Sequence, residues 1–553
     1  MPADILTICQ RHAALKADRA TWDSLCQELA DVIAPRKGEI TSKNTQPTNH
    51  REKRARNTTA AMCNMTLAQG CMAYAVPFSE RWFVGEPPSN GVGDDEAFEW
   101  YAKCSEIMLE GIAASNLYTE LHEACLDRSG FAVGNLYCEE SLTLPGGIVF
   151  DAVPVGSFSI AENAQKMVDT VYRDREMTAV QLADEFGKDA LPKKVLEALD
   201  NDSQRYYQKF TVVHAVYPRN DYDGQKLDSG NMPFASCWFL PNEKHLLREG
   251  GYETNPYLVS RYLKWGSSAY GWCPGWQALD PAKYLNRIEY LMDEMAEIQL
   301  LPRMLIPSSL EGAVGMGAGE VTVVNPFQAA KPQTWGTEGR IEAGLERMQR
   351  REQEIKDAYH YDLFKMFSSY DGPQMTRAEV VERSAEKLIL FSPTFLRMQN
   401  EWLEPLIQRV FRIYMKQRRF PPPPQSVIEN DGGGAHIRPP KIQFISRVSL
   451  AIRSLQSSGF MNLLEALQPM MAVDPTVRHV VQIAVAAKGL GRNFGVPEEW
   501  MSTVDQYMAA IQAEQEAAAQ QQQMENANNM LSTAAKLKPE QIQGVMKQMG
   551  GVK

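Results

Sequence analysis

The side chains best equipped for bond-making in this sequence are eight histidines and nine cysteines, and their spacing gives neither set a working partner. His12, His50, His122, His214, His245, His360, His436 and His479 never recur at i, i+4, and no His-Glu-x-x-His occurs, so each reads as a surface or core residue and not a metal ligand. Cys9, Cys26, Cys63, Cys71, Cys104, Cys125, Cys138, Cys237 and Cys273 are odd in number, scattered and without a Cys-x-x-Cys pair. That usage fits free thiols in a reducing cytoplasm, not a disulfide framework or a zinc knuckle. There is no G-x-x-x-x-G-K-[ST] phosphate loop. Gly315-Met316-Gly317-Ala318-Gly319 is the one lookalike, and without a strand before it and a helix after it the better reading is a flexible turn. Gly266-Ser267-Ser268 is not a nucleophile elbow. Asp94-Asp95 and Glu498-Glu499 fall in expected first turns of helices, where the macrodipole already accounts for them. The sequence therefore predicts no catalytic residue, no metal and no cofactor.

Charge is what remains. Between residues 338 and 361, Glu342, Glu346, Glu352, Glu354 and Asp357 alternate with Arg340, Arg347, Arg350, Arg351 and Lys356. As a solvated, self-paired helix face this is worth a few tenths of a kcal/mol per pair. The formal net charge of −11 argues against tight DNA binding, which draws its affinity from Lys and Arg releasing counterions from phosphates. Carboxylates lining a passage repel phosphates and prevent sticking, which suits a conduit better than a clamp. At 553 residues with 44% hydrophobic content, the chain is globular and too long for one core, so several domains or one elongated multi-part subunit are expected. No signal pattern opens it and no apolar run approaches ~18 residues, so neither secretion nor membrane spanning is expected.

The elements that must carry these charges follow from periodicity. Asp4 to Ile33 reads as one long amphipathic helix or a helix pair ending at Pro35, and Arg36 to Arg56 as a polar, basic solvated linker or a nucleic-acid or capsid contact, the linker favoured because no aromatics interleave to stack on bases. Helices are expected over Thr58 to Val76, Asp94 to Ala114 and Leu117 to Ser129, with a chain reversal at Arg81-Trp82-Phe83. Gly130 to Arg173 and Phe210 to Leu263 read as strands and hairpins around a short helical insertion, Ala179 to Leu199, giving an α+β, mostly helical chain. Asp280 to Leu301 is a strong helix with two apolar stripes: Leu285, Ile288, Met292 and Met295 on one, Leu291 and Ile298 on the other. Apolar residues on two faces imply cover on two sides. Short strand-like pieces follow (Met304 to Ile306, Val321 to Val324), then a helix from Glu338 to Tyr361 with Ile341, Leu345, Met348, Ile355 and Tyr359 inside. Lys441 to Ser446 reads as a strand, and Ala509 to Lys553 as a marginal helix or a disordered tail.

The stretch from Tyr370 to Pro424 organises the rest. It opens with the turn signal Asp371-Gly372-Pro373 and a capping box, Thr376 with Glu379. Its first helical run breaks at Ser392-Pro393, and its second carries Phe395, Met398, Trp402, Leu406, Arg409, Val410 and Ile413 at helical spacing before four prolines stop it. Gln374-Met375-Thr376 before Glu379 and Arg383, then Leu403-Glu404-Pro405-Leu406-Ile407 with Arg409, resembles the head-tail connector (portal) family of short-tailed phages. Arg81-Trp82-Phe83, Tyr270-Gly271 ahead of Pro274 and Leu279, and Phe444-Ile445-Ser446 with Leu450-Ala451 resemble it further, in the family's order over about four fifths of the chain.

The resemblance implies an elongated subunit: an N-terminal helix and linker (1–57), a wing (58–279 and 375–447), stem helices (280–302 and 338–361), a clip (303–337), a tunnel loop (362–374) and a C-terminal helical crown (448–553). It implies a homo-oligomer of twelve subunits at one capsid vertex, carrying double-stranded DNA inward and later outward, without sequence preference. Partners would be the major capsid protein, the terminase and tail adaptor proteins, with no membrane contact, in the virion after assembly in the host cytoplasm. In such a ring each carboxylate is repeated in every subunit, so Glu342, Glu346 and Arg350 become rings of charge. Lys365, Tyr370 and Asp371 fall in the tunnel loop, with Lys365 able to touch phosphate, and Gly315, Gly317, Gly319 and Glu320 fall in the docking clip. Two other classes stand against this: another virion part, such as an internal core or tape-like protein without a channel, and a nucleotide hydrolase. The first would show long uninterrupted helical repeats and the second a phosphate loop.

Overall fold

The computed structural model describes residues 4–37, 40–41, 56–88, 95–141, 143–222, 228–300, 303–305, 333–335, 341–365, 391–430, 435–445 and 504–536, with isolated helical positions at 463, 465–467, 487 and 491. The chain opens with a single helix, α1 (Ile5–Val32), whose first amides are capped by Asp4. Its buried side chains include Trp22, Cys26 and Leu29, but also His12 and Arg19. Arg19 reaches Asp23 at 2.8 Å and the carbonyls of Phe158 and Gly156, so a buried guanidinium stitches α1 to the sheet beneath.

Next come α2 (Thr59–Ala75), β1 (Phe83–Glu86), α3 (Asp95–Ala114) and α4 (Leu117–Phe131). The Trp82-Phe83 region holds more than a reversal: β1 pairs antiparallel with the expected late strand, β16 (Lys441–Phe444), joining Phe83 to Phe444 across 361 positions of sequence. A strand of four residues is too short for period-two alternation to show itself. From α4 the chain turns through Ala132 at φ 75° into β2 (Val133–Glu140), the centre of a three-stranded antiparallel sheet with β3 (Ile148–Ala152) and β9 (Tyr257–Arg261).

A second, five-stranded antiparallel sheet is a meander of β4 (Phe158–Glu162), β5 (Val168–Thr178), β6 (Lys209–Pro218), β7 (Phe234–Leu240) and β8 (His245–Tyr252). The helical insertion is α5 (Ala179–Phe186) and α6 (Lys193–Asp200), which cover one face of this sheet through Leu182, Val195, Phe210 and Trp238. A hairpin, β10 (Leu263–Trp265) and β11 (Ser268–Trp272), leads into α7.

Helix α7 (Pro274–Leu300) starts six residues before the expected Asp280-Pro281. Pro281 lies inside it, at a cost of roughly 3 kcal/mol that the burial of Pro274, Gly275 and Ala278 against the body offsets. Strands β12 (Arg303–Leu305) and β13 (Gln333–Trp335) pair antiparallel ahead of α8 (Ile341–Ala358) and a short α9 (Tyr361–Lys365). The expected strand at Val321 to Val324 lies outside the described residues.

The second half of the organising stretch is helical from residue 391 (α10, residues 391–398), with Pro393 in its first turn. It passes through a π-turn at Gln399–Leu403 into α11 (Glu404–Lys416). Every member of the predicted stripe, Phe395 to Ile413, is buried. The capping box at Thr376 and Glu379 lies outside the described residues. Short strands β14 (Ile428–Asn430) and β15 (Ala435–Ile437) precede β16. The C-terminal region holds a 33-residue helix, α12 (Val504–Lys536).

Candidate channel wall on the paired helices

Helices α7 and α8 run antiparallel along each other. Met292 meets Gly344 near the far end, and Tyr284 meets Arg347 and Arg351 nearer the body, so one sequence climbs as the other descends. The roots are sealed: Ala278, Ala282 and Leu285 on α7, and Ile355, Ala358 and Tyr359 at the end of α8, are all buried. Burial pushes the Tyr359 hydroxyl well above the ordinary tyrosine range.

The tips differ. Of the two predicted stripes on α7, the first has Leu285 buried and Ile288, Met292 and Met295 partly covered, while on the second Ile298 is partly covered and Leu291 remains 49% exposed. Leu300 is 81% and Leu345 is 49% exposed. Leu345 was expected inside. It lies where α8 has only α7 for cover, so its side faces water in a single chain. Leu291 of α7 and Leu345 of α8 are therefore left uncovered within one subunit.

Glu342, Glu346 and Arg350 fall at i, i+4 and i+8 of α8, on one face, and all three are exposed. Among the described residues no cation pairs with Glu342 or Glu346. Arg350 reaches Glu354 at 3.5 Å, Arg351 meets the same carboxylate at 2.5 Å, and Lys356 lies 3.9 Å from Glu352. Five carboxylates against four cations leave α8 slightly acidic, and Pro281 to Leu300 of α7 carries four carboxylates against two cations. A face with this small negative excess repels a nearby polyanion weakly. Lys365 ends α9, and Tyr370, Asp371, Gly315, Gly317, Gly319 and Glu320 lie outside the described residues.

Sequence reasoning missed two features. The basic linker reads as solvated, yet its end is docked on α7. Arg56 pairs with Asp293 at 3.0 Å and sits 4.6 Å from the Tyr290 ring centre, while the Asn57 amide donates to Asn286 at 2.8 Å. Alternating polarity could not reveal that contact, because each partner is itself polar.

The second is a buried ionic hub behind the paired helices. Arg261, fully buried at the end of β9, donates to Glu162 of β4 and, at 2.8 Å, to Glu401 in the π-turn. Glu401 also accepts the Arg261 backbone amide at 2.7 Å. Beside it Trp402 donates to the Leu258 carbonyl at 2.7 Å, and Arg409 to those of Cys138 and Thr254 at 2.7 and 2.8 Å. The hub fixes the helix that follows residues 366–390 onto both sheets.

Among the described residues the buried titratable groups are held inert. His214 donates and accepts inside the core, 2.7 Å from the Tyr257 hydroxyl and 2.9 Å from that of Ser236, stacked on Trp238 at 4.0 Å. Burial holds its imidazole well below the usual range. Burial likewise pushes the Cys71 and Cys138 thiols up to about 11 and those of Cys104 and Cys273 up to about 12, which keeps them protonated and unreactive. Among the described residues no group of three or more His, Cys, Asp or Glu side chains is placed to hold a metal, and no helix is long and apolar enough to cross a membrane.

The chain is 29% identical over 553 aligned residues to a probable portal protein of Bordetella phage BPP-1, covering 96% of this chain and 94% of that one. It is 27% identical over 511 residues to the portal protein of Salmonella phage epsilon15, covering 89% of each. Residues 6–501 match the family described as bacteriophage head to tail connecting protein, and the chain belongs to that family.

Proposed function

We propose that copies of this portal subunit close into a ring at one vertex of the phage capsid and enclose the channel through which double-stranded DNA enters and leaves. The observation that carries the ring is the pair of uncovered leucines on the paired helices, Leu291 of α7 and Leu345 of α8, on elements whose roots are already buried within the chain. A second copy is the partner whose matching face is present at equal concentration, and closed symmetry is the usual solution. Twelve copies, as the family resemblance implies, would be held by these helices acting as the stem (280–302 and 338–361). Residues 58–279 and 375–447 form the wing against the major capsid protein, 303–337 the clip that docks terminase and later the tail adaptors, and 448–553 the crown.

In that ring the work is mechanical and no catalytic step is assigned to the chain. Glu342, Glu346 and Arg350 are repeated around the axis, and Lys365, Tyr370 and Asp371 in the tunnel loop (362–374) meet the duplex. One cation per subunit holds DNA by many weak contacts that each break easily. Gly315, Gly317, Gly319 and Glu320 serve docking at the clip. The mature location is the virion, with assembly in the host cytoplasm.

Sedimentation with negative-stain imaging tests the reading. The natural chain should form rings with a hole wide enough for a duplex, and Leu291→Glu with Leu345→Glu should yield folded monomers. Rings that survive both substitutions, or particles without a hole, overturn it.

A further inference from the structure

The geometry at the end of α8 assigns a role to four residues of the body. Helix α8 stops at Ala358, and His360 takes a left-handed φ of 51° before the chain restarts as α9. Phe364 of α9 then meets Phe391, the first residue after 366–390, edge to face with ring centres 5.7 Å apart. Tyr74 of α2 tilts against Phe364 at 5.9 Å, and the His360 ring approaches Phe391 at 5.7 Å. Phe391 is 6% exposed and Phe364 half-buried, so the pair is seated against the body.

Beneath it lies Gly70. A Cβ there would fall inside the Phe364 ring. Gly70 sits within α2, where only proline is a poorer residue for the helix. The ring explains why the helix carries a glycine at this turn. Of the two chain ends flanking 366–390, Phe364 is thus seated on α2 and Phe391 on Phe364, and α2 is itself packed on α4.

We propose that Gly70, Tyr74, Phe364 and Phe391 form an aromatic clamp that fixes where the chain leaves the body after Lys365 and rejoins it at Phe391, making them positioning residues for the tunnel loop (362–374). The proposal rests on the tunnel-loop reading given above. Without the clamp, Lys365 and its neighbours would keep their charge and lose a defined radius in the ring, so contacts that must act together would act at scattered positions.

Hydrogen exchange on the assembled full chain, paired with genome retention in phage carrying the same variants, separates the possibilities. Gly70→Val displaces Phe364. Phe391→Leu keeps apolar bulk, removes the ring edge and carries the test if Gly70→Val does not fold. Leu182→Ala, in the separate core under α5 and α6, serves as the reference for ordinary core damage. Both clamp variants should exchange at least tenfold faster at 359–365 and 391–398, with α1, the five-stranded sheet and the ring unchanged, and genome retention should fall at normal particle number. Leu182→Ala should open only the five-stranded sheet and its insertion. Unchanged exchange at the two flanks, or a rise spread through the body, overturns the clamp. Fast flanks with full genome retention overturn the tunnel-loop reading beneath it.

Discussion

Two regions of this molecule use the same pair of side chains to opposite ends. In the hub, Arg261 is 1% exposed at its side chain, with Glu401 at 6% and Glu162 at 10%. On α8, Arg350 is 82% and Glu354 is 36% exposed. In the interior the partners of Arg261 come from β4 and the π-turn, elements far apart in sequence, and the pairing fixes how they meet. On the helix surface each pair is local and water screens it, so what survives is the residual field of the unpaired carboxylates. A charged pair is a geometric device where water is absent and a source of potential where water is present.

The largest break in that comparison is Glu401→Ala. It leaves a guanidinium and a backbone amide buried with one acceptor fewer, and should cost about 3–5 kcal/mol. Denaturant unfolding followed through the body tryptophans measures it. A loss under about 1 kcal/mol would mean water reaches the hub. Replacing Arg261, Glu162 and Glu401 together by apolar residues of similar volume should recover most of the loss, because no unpaired charge remains.

Acid should act on the interior through His214. His214 is held neutral in the fold, first by burial and then by the nearby Arg173, Arg175 and Arg248, while in the unfolded chain it protonates near 6.5. Its contribution is fully present above that pH and is lost as pH falls below it, with the slope of one proton. Asp127, raised to about 6 by burial beside Lys37, acts in the opposite sense: it takes up a proton in the folded chain first. The comparison is therefore between the natural chain and His214→Gln, unfolded at pH 7.5 and 5.5. The variant should show the flatter loss, and equal slopes would place the acid sensitivity elsewhere.

The two regions were not equally legible in the sequence. The stripe from Phe395 to Ile413 declares itself by helical period, and all of it is buried. The charge alternation on α8 is equally plain, since its partners lie within four residues. Arg261, Glu162 and Glu401 give no such signal, because residues 99 and 140 positions apart share no period. The start of α7 was obscured by Asp280-Pro281, whose cap-like chemistry is overridden by packing. Leu345 was placed inside because periodicity shows which residues want cover and not whether one chain can supply it. The gap between those two questions is where the oligomer enters.

Within the wall the self-paired charges should matter little. Glu354→Gln releases Arg350 and Arg351 into solvent, and should change stability by less than about 0.5 kcal/mol, a difference that 0.5 M salt removes. A larger loss would show that the cluster carries part of the α7–α8 contact.

The smallest effect on the fold, and the most informative about the wall, is expected from Glu342→Gln with Glu346→Gln. Both carboxylates are exposed and have no cation partner among the described residues, so their removal should leave unfolding unchanged. What changes is the field. Every subunit loses two negative charges from one face, and on α8 itself the four cations that remain, Arg347 and Arg350 among them, then face three carboxylates. A duplex should then linger, and packaging should slow at low ionic strength and return toward the natural rate as salt screens the phosphates. Packaging rates measured across a salt series decide the matter. An unchanged rate at low salt would place these carboxylates on the outer side of the ring, and the face of α8 bearing Leu345 would become the candidate for the channel.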